Sequence, residues 1–67
     1  MKARIGEIRK NKGLMQKFVA NQVGISQQQL SDFEKNRAFP RIDKAYRIAK
    51  VLDCTVNDLY EWNEDTN

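Results

Sequence analysis

Gln16 to Lys35, QKFVANQVGISQQQLSDFEK, is the stretch on which the reading of this 67-residue chain turns. Its first half places Phe18, Val19 and Val23 at helical spacing around the small Ala20, and its second half does the same with Leu30 and Phe33. Between them stands Gly24-Ile25-Ser26. A glycine after one periodic segment supplies the positive φ that stops a helix, and a serine before the next is a strong N-cap. Two short amphipathic helices therefore meet across a three-residue turn. On the second, at about 100° per residue, Leu30 and Phe33 fall on one side. Gln28, Ser31, Asp32 and Lys35 fall on the other, with Gln27 at the edge, so the outward face is entirely polar.

Outward from this pair the chain reads as helix on both sides. Ala3 to Lys12 puts Ile5 and Ile8 on one face and is stopped by Gly13, while Gly6 inside it costs about 1 kcal/mol against alanine. Leu14 returns the chain to the core. The next helix opens at Met15, whose thioether cannot accept from first-turn amides, so a frayed or water-capped start is expected. After Lys35, Asn36 tolerates the left-handed conformation needed to leave a helix. Arg37-Ala38-Phe39-Pro40 is then an extended connector, with Phe39 expected to plug the core. A fourth helix from Ile42 to Leu52 turns Ile42, Ala45, Ile48, Ala49 and Leu52 inward; Asp43 suits its dipole, but Arg41 stands where a cap belongs. Thr55-Val56-Asn57-Asp58 approximates a capping box and opens a short fifth helix carrying Val56, Leu59 and Tyr60. No strand signal, repeat or low-complexity segment is present. The expected fold is all-α, a compact five-helix bundle forming one domain over residues 1–62. Its helices lie at about 3–12, 15–23, 27–35, 42–52 and 56–61, and residues 63–67 form an acidic, disordered tail.

Composition narrows the chemistry. One domain with 40% apolar residues can fold alone, with little core to spare. Apolar runs are short, so no membrane span is expected, and the basic N-terminus lacks the apolar stretch of a signal peptide; a cytoplasmic location follows. Without histidine, and with Cys54 alone, neither an internal disulfide nor a zinc site is available, and no metal or cofactor is expected. Cys54 reads as a small packing residue. An enzyme is not expected, because there is no histidine, only one cysteine and two serines, and no paired carboxylates near a candidate nucleophile, so no catalytic residue can be named. The net charge of +3 is unevenly spread. Lys2, Arg4, Arg9, Lys10, Lys12 and Lys17 face one acid, Glu7, and Arg41, Lys44, Arg47 and Lys50 face Asp43, whereas every charge from Asp53 onward is negative. Basic segments thus flank the helix pair, a pattern of nucleic-acid binders and equally of ordinary solvated helix surfaces.

Two helices joined so tightly match the helix-turn-helix geometry, in which the second helix is offered to the major groove of DNA. Beyond that geometry, a set of residues carries a family likeness: Ile5-x-x-Ile8-Arg9, Gly13-Leu14-x-Gln16, Val19-Ala20, Val23-Gly24-Ile25-Ser26, Leu30-x-x-Phe33-Glu34, Pro40, and Ile48-Ala49-x-x-Leu52. Together they resemble the lambda-repressor-like, or Cro and XRE-type, DNA-binding domains over about residues 3 to 60. The resemblance implies that Arg9 and Glu34 form a largely buried ion pair between the first and third helices; the alternative is an exposed pair worth under about 1 kcal/mol. It also implies a DNA-facing set of Gln16, Lys17, Ser26, Gln27, Gln28, Gln29, Ser31, Asp32, Lys35 and Arg37, in which Lys35 and Arg37 are placed for phosphates and Lys17, with Lys10 and Arg41 outside the set, is a weaker candidate. Gln16 and the amides around it can meet a phosphate. Gln28, and less so Gln27 and Gln29, can pair with adenine through the carboxamide, although three glutamines also make a plain polar helix face. Asp32 departs from the longer or basic side chains usual there: it either accepts from cytosine N4 or lies beyond contact.

Domains of this kind usually bind as homodimers on a palindromic operator, with half-sites one helical turn apart. Val56, Tyr60 and Trp62 are the candidate dimer interface, and Tyr60 and Trp62 serve equally well as closure for the core. The implied function is a sequence-specific transcriptional regulator of double-stranded DNA, a repressor rather than an activator, in a bacterial or phage setting. A second reading is an antitoxin or lysogeny-type switch that also binds a protein partner, a toxin or antirepressor, through helices four and five. A third, an interaction module that no longer binds DNA, is disfavoured by the polar face of the third helix.

Overall fold

The structure, a computed structural model, describes residues 1–62; the expected acidic tail at 63–67 lies outside the described residues. Among the described residues there are four α-helices, α1 (Ile5–Asn11), α2 (Gln16–Val23), α3 (Gln27–Glu34) and α4 (Ile42–Val51). In place of a fifth α-helix there is a single 3-10 turn, Val56–Leu59, and it leads into a strand. That strand, β2 (Tyr60–Glu61), pairs antiparallel with β1 (Lys2–Ala3), in the register Lys2 with Glu61 and Ala3 with Tyr60.

Three expectations are corrected here. The first helix begins at Ile5 rather than Ala3, because the backbone of residues 2 and 3 is committed to β2, and Arg4 N–H donates to the Leu59 carbonyl at 2.7 Å. The fifth element closes only one turn: Thr55 and Asp58 do form the capping box, but Tyr60 is already extended at φ −135°. Four residues cannot repay the cost of an α-helical nucleus, whereas a 3-10 turn is well suited to so short a piece. Strands of two residues each, 57 positions apart, leave no alternation in the sequence to find.

The core is made by residues from every helix: Ile5, Val19, Val23, Leu30, Ile48, Leu52 and Leu59 are fully enclosed, with Ala20, Ala45 and Ala49 where helices pass close. Two residues expected inside are not. Ile42, at the first position of α4, is 75% exposed, and Phe39 is 55% exposed with its ring 6.0 Å from that of Tyr60. Phe39 therefore lies over the core rather than in it. Phe18, despite its helical spacing, also faces outward, while its neighbours Val19 and Ala20 are buried.

The turn that organises the fold is made as its residues require. Gly24 adopts φ +86°, a conformation costly for any side chain, and its N–H returns to the Ala20 carbonyl at 2.9 Å. Ser26 caps α3, its Oγ accepting from Gln29 N–H at 3.0 Å while the Gln29 carboxamide oxygen accepts from Ser26 N–H at 3.1 Å. At the other end of α3, Asn36 sits in the left-handed region at φ +60° and acts as a clasp. Its Oδ1 accepts from Ala3 N–H at 2.7 Å, and its Nδ2 donates to the Met1 carbonyl at 2.9 Å. The N-terminal strand is thus fastened to the exit of α3 as well as to β2.

Candidate nucleic-acid interface

Leu30 and Phe33 anchor α3 in the core and fix which of its faces looks outward. On that face Gln27 and Gln28 are exposed, and Ser31 and Asp32 are half-buried. Lys35 and Arg37 follow in the turn that ends the helix, both exposed. Lys17 stands exposed on the first turn of α2. Contacts join Gln28, Asp32 and Arg37 to one another, and Gln27 to Gln16 at the start of α2.

Beneath them runs a continuous polar chain. Arg9 grips Glu34 with two N–H groups, Nε to Oε2 at 2.6 Å and Nη2 to Oε1 at 3.2 Å, and its Nη1 donates to the Leu14 carbonyl at 2.9 Å. The pair is nearly enclosed, with side-chain exposures of 11% and 9%. Glu34 Oε1 also accepts from Gln16 Nε2 at 3.0 Å, and Gln16 Oε1 accepts from Gln27 Nε2 at 3.2 Å. Four residues from α1, α2 and α3 are thereby linked end to end, from an ion pair in the interior to a carboxamide on the outward face. The glycine inside α1 has its reason here. A Cβ on Gly6 would stand 3.1 Å from Glu34 Oε1, tighter than ordinary contact, so the carboxylate would have to give way by a few tenths of an ångström.

The chain of contacts sorts the glutamines. Gln16 is held by Glu34 and Gln27, which leaves one N–H of its carboxamide outside those bonds. Gln29 is spent on the α3 cap together with Ser26, a use legible in the Ser-x-x-Gln spacing but hidden by the run of three glutamines. Gln28 donates through Nε2 to Asp32 Oδ1 at 3.0 Å. Met15 extends into solvent and makes no cap, so no side chain accepts from the first-turn amides of α2. Those N–H groups stand beside Gln16 and Lys17, at the end of the helix where the dipole favours negative charge. Arg41 likewise provides no cap for α4.

The candidate interface residues separate. Tyr60 is buried and closes the core, and Val56 packs partly against it. Trp62 is half-exposed, its ring 5.8 Å from Tyr60 and its Nε1 donating to the Asn57 carbonyl at 3.0 Å. Around it Met1, Phe39, Pro40 and Ile42 join Tyr60 and Trp62 to line a groove of about 260 Å³, and no residue of α3 reaches it. Met1, Phe39 and Ile42 were not legible as members, because each belongs to a different element. The Tyr60 hydroxyl is buried with no hydrogen-bond partner among the described residues, and burial raises its pKa above the usual phenolic value. Cys54 is half-buried; desolvation, with Asp58 nearby, raises its thiol pKa. Among the described residues no cluster of metal-ligating side chains occurs, and no helix is long and apolar enough to cross a membrane.

Comparison with known proteins agrees with this geometry. A family model described as Helix-turn-helix matches residues 5–59. An uncharacterized HTH-type transcriptional regulator of Methanothermobacter thermautotrophicus is 36% identical over 66 residues, covering 97% of this chain and 96% of that protein. The N-terminal DNA-binding domain of SinR from Bacillus subtilis superposes with a TM-score of 0.77 at 30% identity, over 92% of this chain and 91% of that one. SinR protein in a complex with SinI protein gives a TM-score of 0.76 at 33% identity, over 84% of this chain and 55% of that one, so this chain spans about half of its length.

Proposed function

Since the chain belongs to the Cro/XRE-type helix-turn-helix family, whose members are DNA-binding regulators and not enzymes, we propose that it is a repressor that lays α3 in the major groove. The observation that carries this reading is the polar chain from Arg9 to Gln27. It joins the interior ion pair to the outward face, so the Gln27 carboxamide is already oriented before DNA arrives. A reader held in place loses less freedom on binding than a mobile one. Gln28 and Gln27 then meet base edges, the uncapped start of α2 with Gln16 and Lys17 receives one phosphate, and Lys35 and Arg37 receive others. Ser31 lies on the same face.

In this reading two copies occupy a palindromic operator in the cytoplasm and exclude transcription from it. The groove at Trp62 is the surface on which they meet, since Ile42 at 75% exposure is an apolar residue left uncovered. The SinR–SinI complex supports a second use of the module, as a switch that also engages a protein partner.

Selection from a random duplex pool tests the main reading, and failure to enrich a palindromic site would count against it. On the enriched site, Gln28→Ala is expected to cost about 1 to 3 kcal/mol at one base position. Lys35→Ala is expected to weaken all sequences alike and to reduce the salt slope by about one. Sedimentation of Trp62→Ala tests the interface: halved mass with stability retained supports it, and unchanged mass with stability lost assigns Trp62 to core closure.

A further inference from the structure

Asp32 is the one residue on the outward face of α3 whose charge works against DNA, and it is not free. Its Oδ1 accepts from Gln28 Nε2 at 3.0 Å, one helical turn back, and lies 3.5 Å from Arg37 Nη1. Arg37 is bound to Asp32 a second time, its backbone N–H donating to the Asp32 carbonyl at 2.8 Å, so the turn that ends α3 folds the guanidinium back over the carboxylate. We propose that Asp32 reads no base itself and is a positioning residue, fixing the flip of the Gln28 carboxamide while Arg37 cancels its charge. The proposal rests on the reading of α3 as the major-groove helix.

A glutamine carboxamide is nearly symmetric in shape, and a half-turn about its last bond exchanges donor and acceptor. An ionised carboxylate can only accept. With Asp32 at 3.0 Å, only the flip that turns Nε2 toward it is compatible; the other would set two oxygens against each other. One N–H is then committed, and the remaining N–H and Oε1 form the ordered donor–acceptor pair that matches adenine N7 and N6. Without Asp32 the order is lost, and so is the discrimination that depends on it. Phosphate repulsion, the objection to an acid at this position, is met by Arg37, whose side chain is 60% exposed and keeps further donors for the backbone of the duplex.

The test measures base preference on the site enriched by the parent chain, using Gln28→Ala, Asp32→Ala, Asp32→Asn and the double alanine variant, each checked by thermal melting. Gln28→Ala identifies the position it reads. At that same position Asp32→Ala is expected to lower the preference about tenfold, and the double variant to lose no more than Gln28→Ala alone. Asp32→Asn, which still offers an acceptor oxygen, is expected to keep the preference while binding every duplex more tightly and with a steeper salt slope. The proposal is overturned if Asp32→Ala alters a different position or none, if the two losses add, or if the asparagine variant is as flat as the alanine one. A parent chain that enriches no site overturns the α3 reading itself, an outcome distinct from all of these.

Discussion

At the residue scale, energetic weight is concentrated where polar groups are enclosed. Arg9 and Glu34 neutralise each other in a nearly dry place, so Arg9→Ala leaves an unpaired charge and is expected to cost about 3 to 5 kcal/mol, measured by urea unfolding. For a domain of this size that is much of the total stability. Gly6→Ala tests the same contact from the other side. Alanine ordinarily gains over glycine in a helix, by less than the interior value of about 1 kcal/mol at this second position of α1, but here the new methyl meets a carboxylate pinned by Arg9 and Gln16. The gain is expected to vanish in the parent and to reappear once Glu34 is shortened to alanine. Tyr60 presents the opposite case. A hydroxyl buried without a partner is a cost, so Tyr60→Phe is expected to raise stability by about 1 kcal/mol at neutral pH. Its folded pKa is raised by burial, so the domain keeps its full stability below the ordinary phenolic pKa, about 10, and loses stability as pH rises from there toward the folded value. The phenylalanine variant is expected to lack that alkaline loss in pH-resolved melting.

At the scale of elements, what the sequence disclosed depended on how local the cause was. Helices α2, α3 and α4 were legible because periodic apolar residues, Gly24 and Ser26 act within a few positions of themselves. Ile42 follows the same period and is nonetheless exposed, since it precedes the first full turn of α4 and nothing packs over it. Strands β1 and β2 were illegible because their partners stand at opposite ends of the chain. In the candidate site, Arg9 and Glu34 meet through a contact 25 positions apart, which only a family resemblance could suggest. The Gln29 carboxamide oxygen accepts from Ser26 N–H, a pairing that the Ser-x-x-Gln spacing marks. Gln29→Ala is accordingly expected to lower stability by about 1 kcal/mol without moving the preferred operator, as melting and pool selection together would show. The second capping box behaves similarly and reports on acid. The Thr55 backbone N–H, donating to Asp58 Oδ2 at 3.0 Å, and after it the Thr55 hydroxyl hold the Asp58 carboxyl below its usual pKa. Its contribution is therefore present above about pH 4 and is lost as pH falls through the depressed value. Amide shifts of Val56 to Leu59 should follow that titration in the parent and not in Asp58→Asn.

At the scale of the whole molecule, two surfaces are built from different materials. One is polar, carried by α3 and the start of α2, and braced from within by the Arg9–Glu34–Gln16–Gln27 chain. The other is the apolar groove at Trp62, assembled from the N-terminus, the connector before α4 and β2. Asn36 lies between them, its backbone ending α3 and its side chain holding β1. That clasp has a kinetic meaning. The helices form through near neighbours, whereas β1 can dock only after the loop to β2 has closed across most of the chain. The strand pair is then expected to assemble last and to open first. In native-state hydrogen exchange, the amides of Ala3 and Arg4 should share one low opening energy, below that of Leu30 and Ile48. Each such opening would release the exit of α3 and uncover Tyr60 together, so that a brief excursion of the N-terminus is felt on both surfaces in the same event.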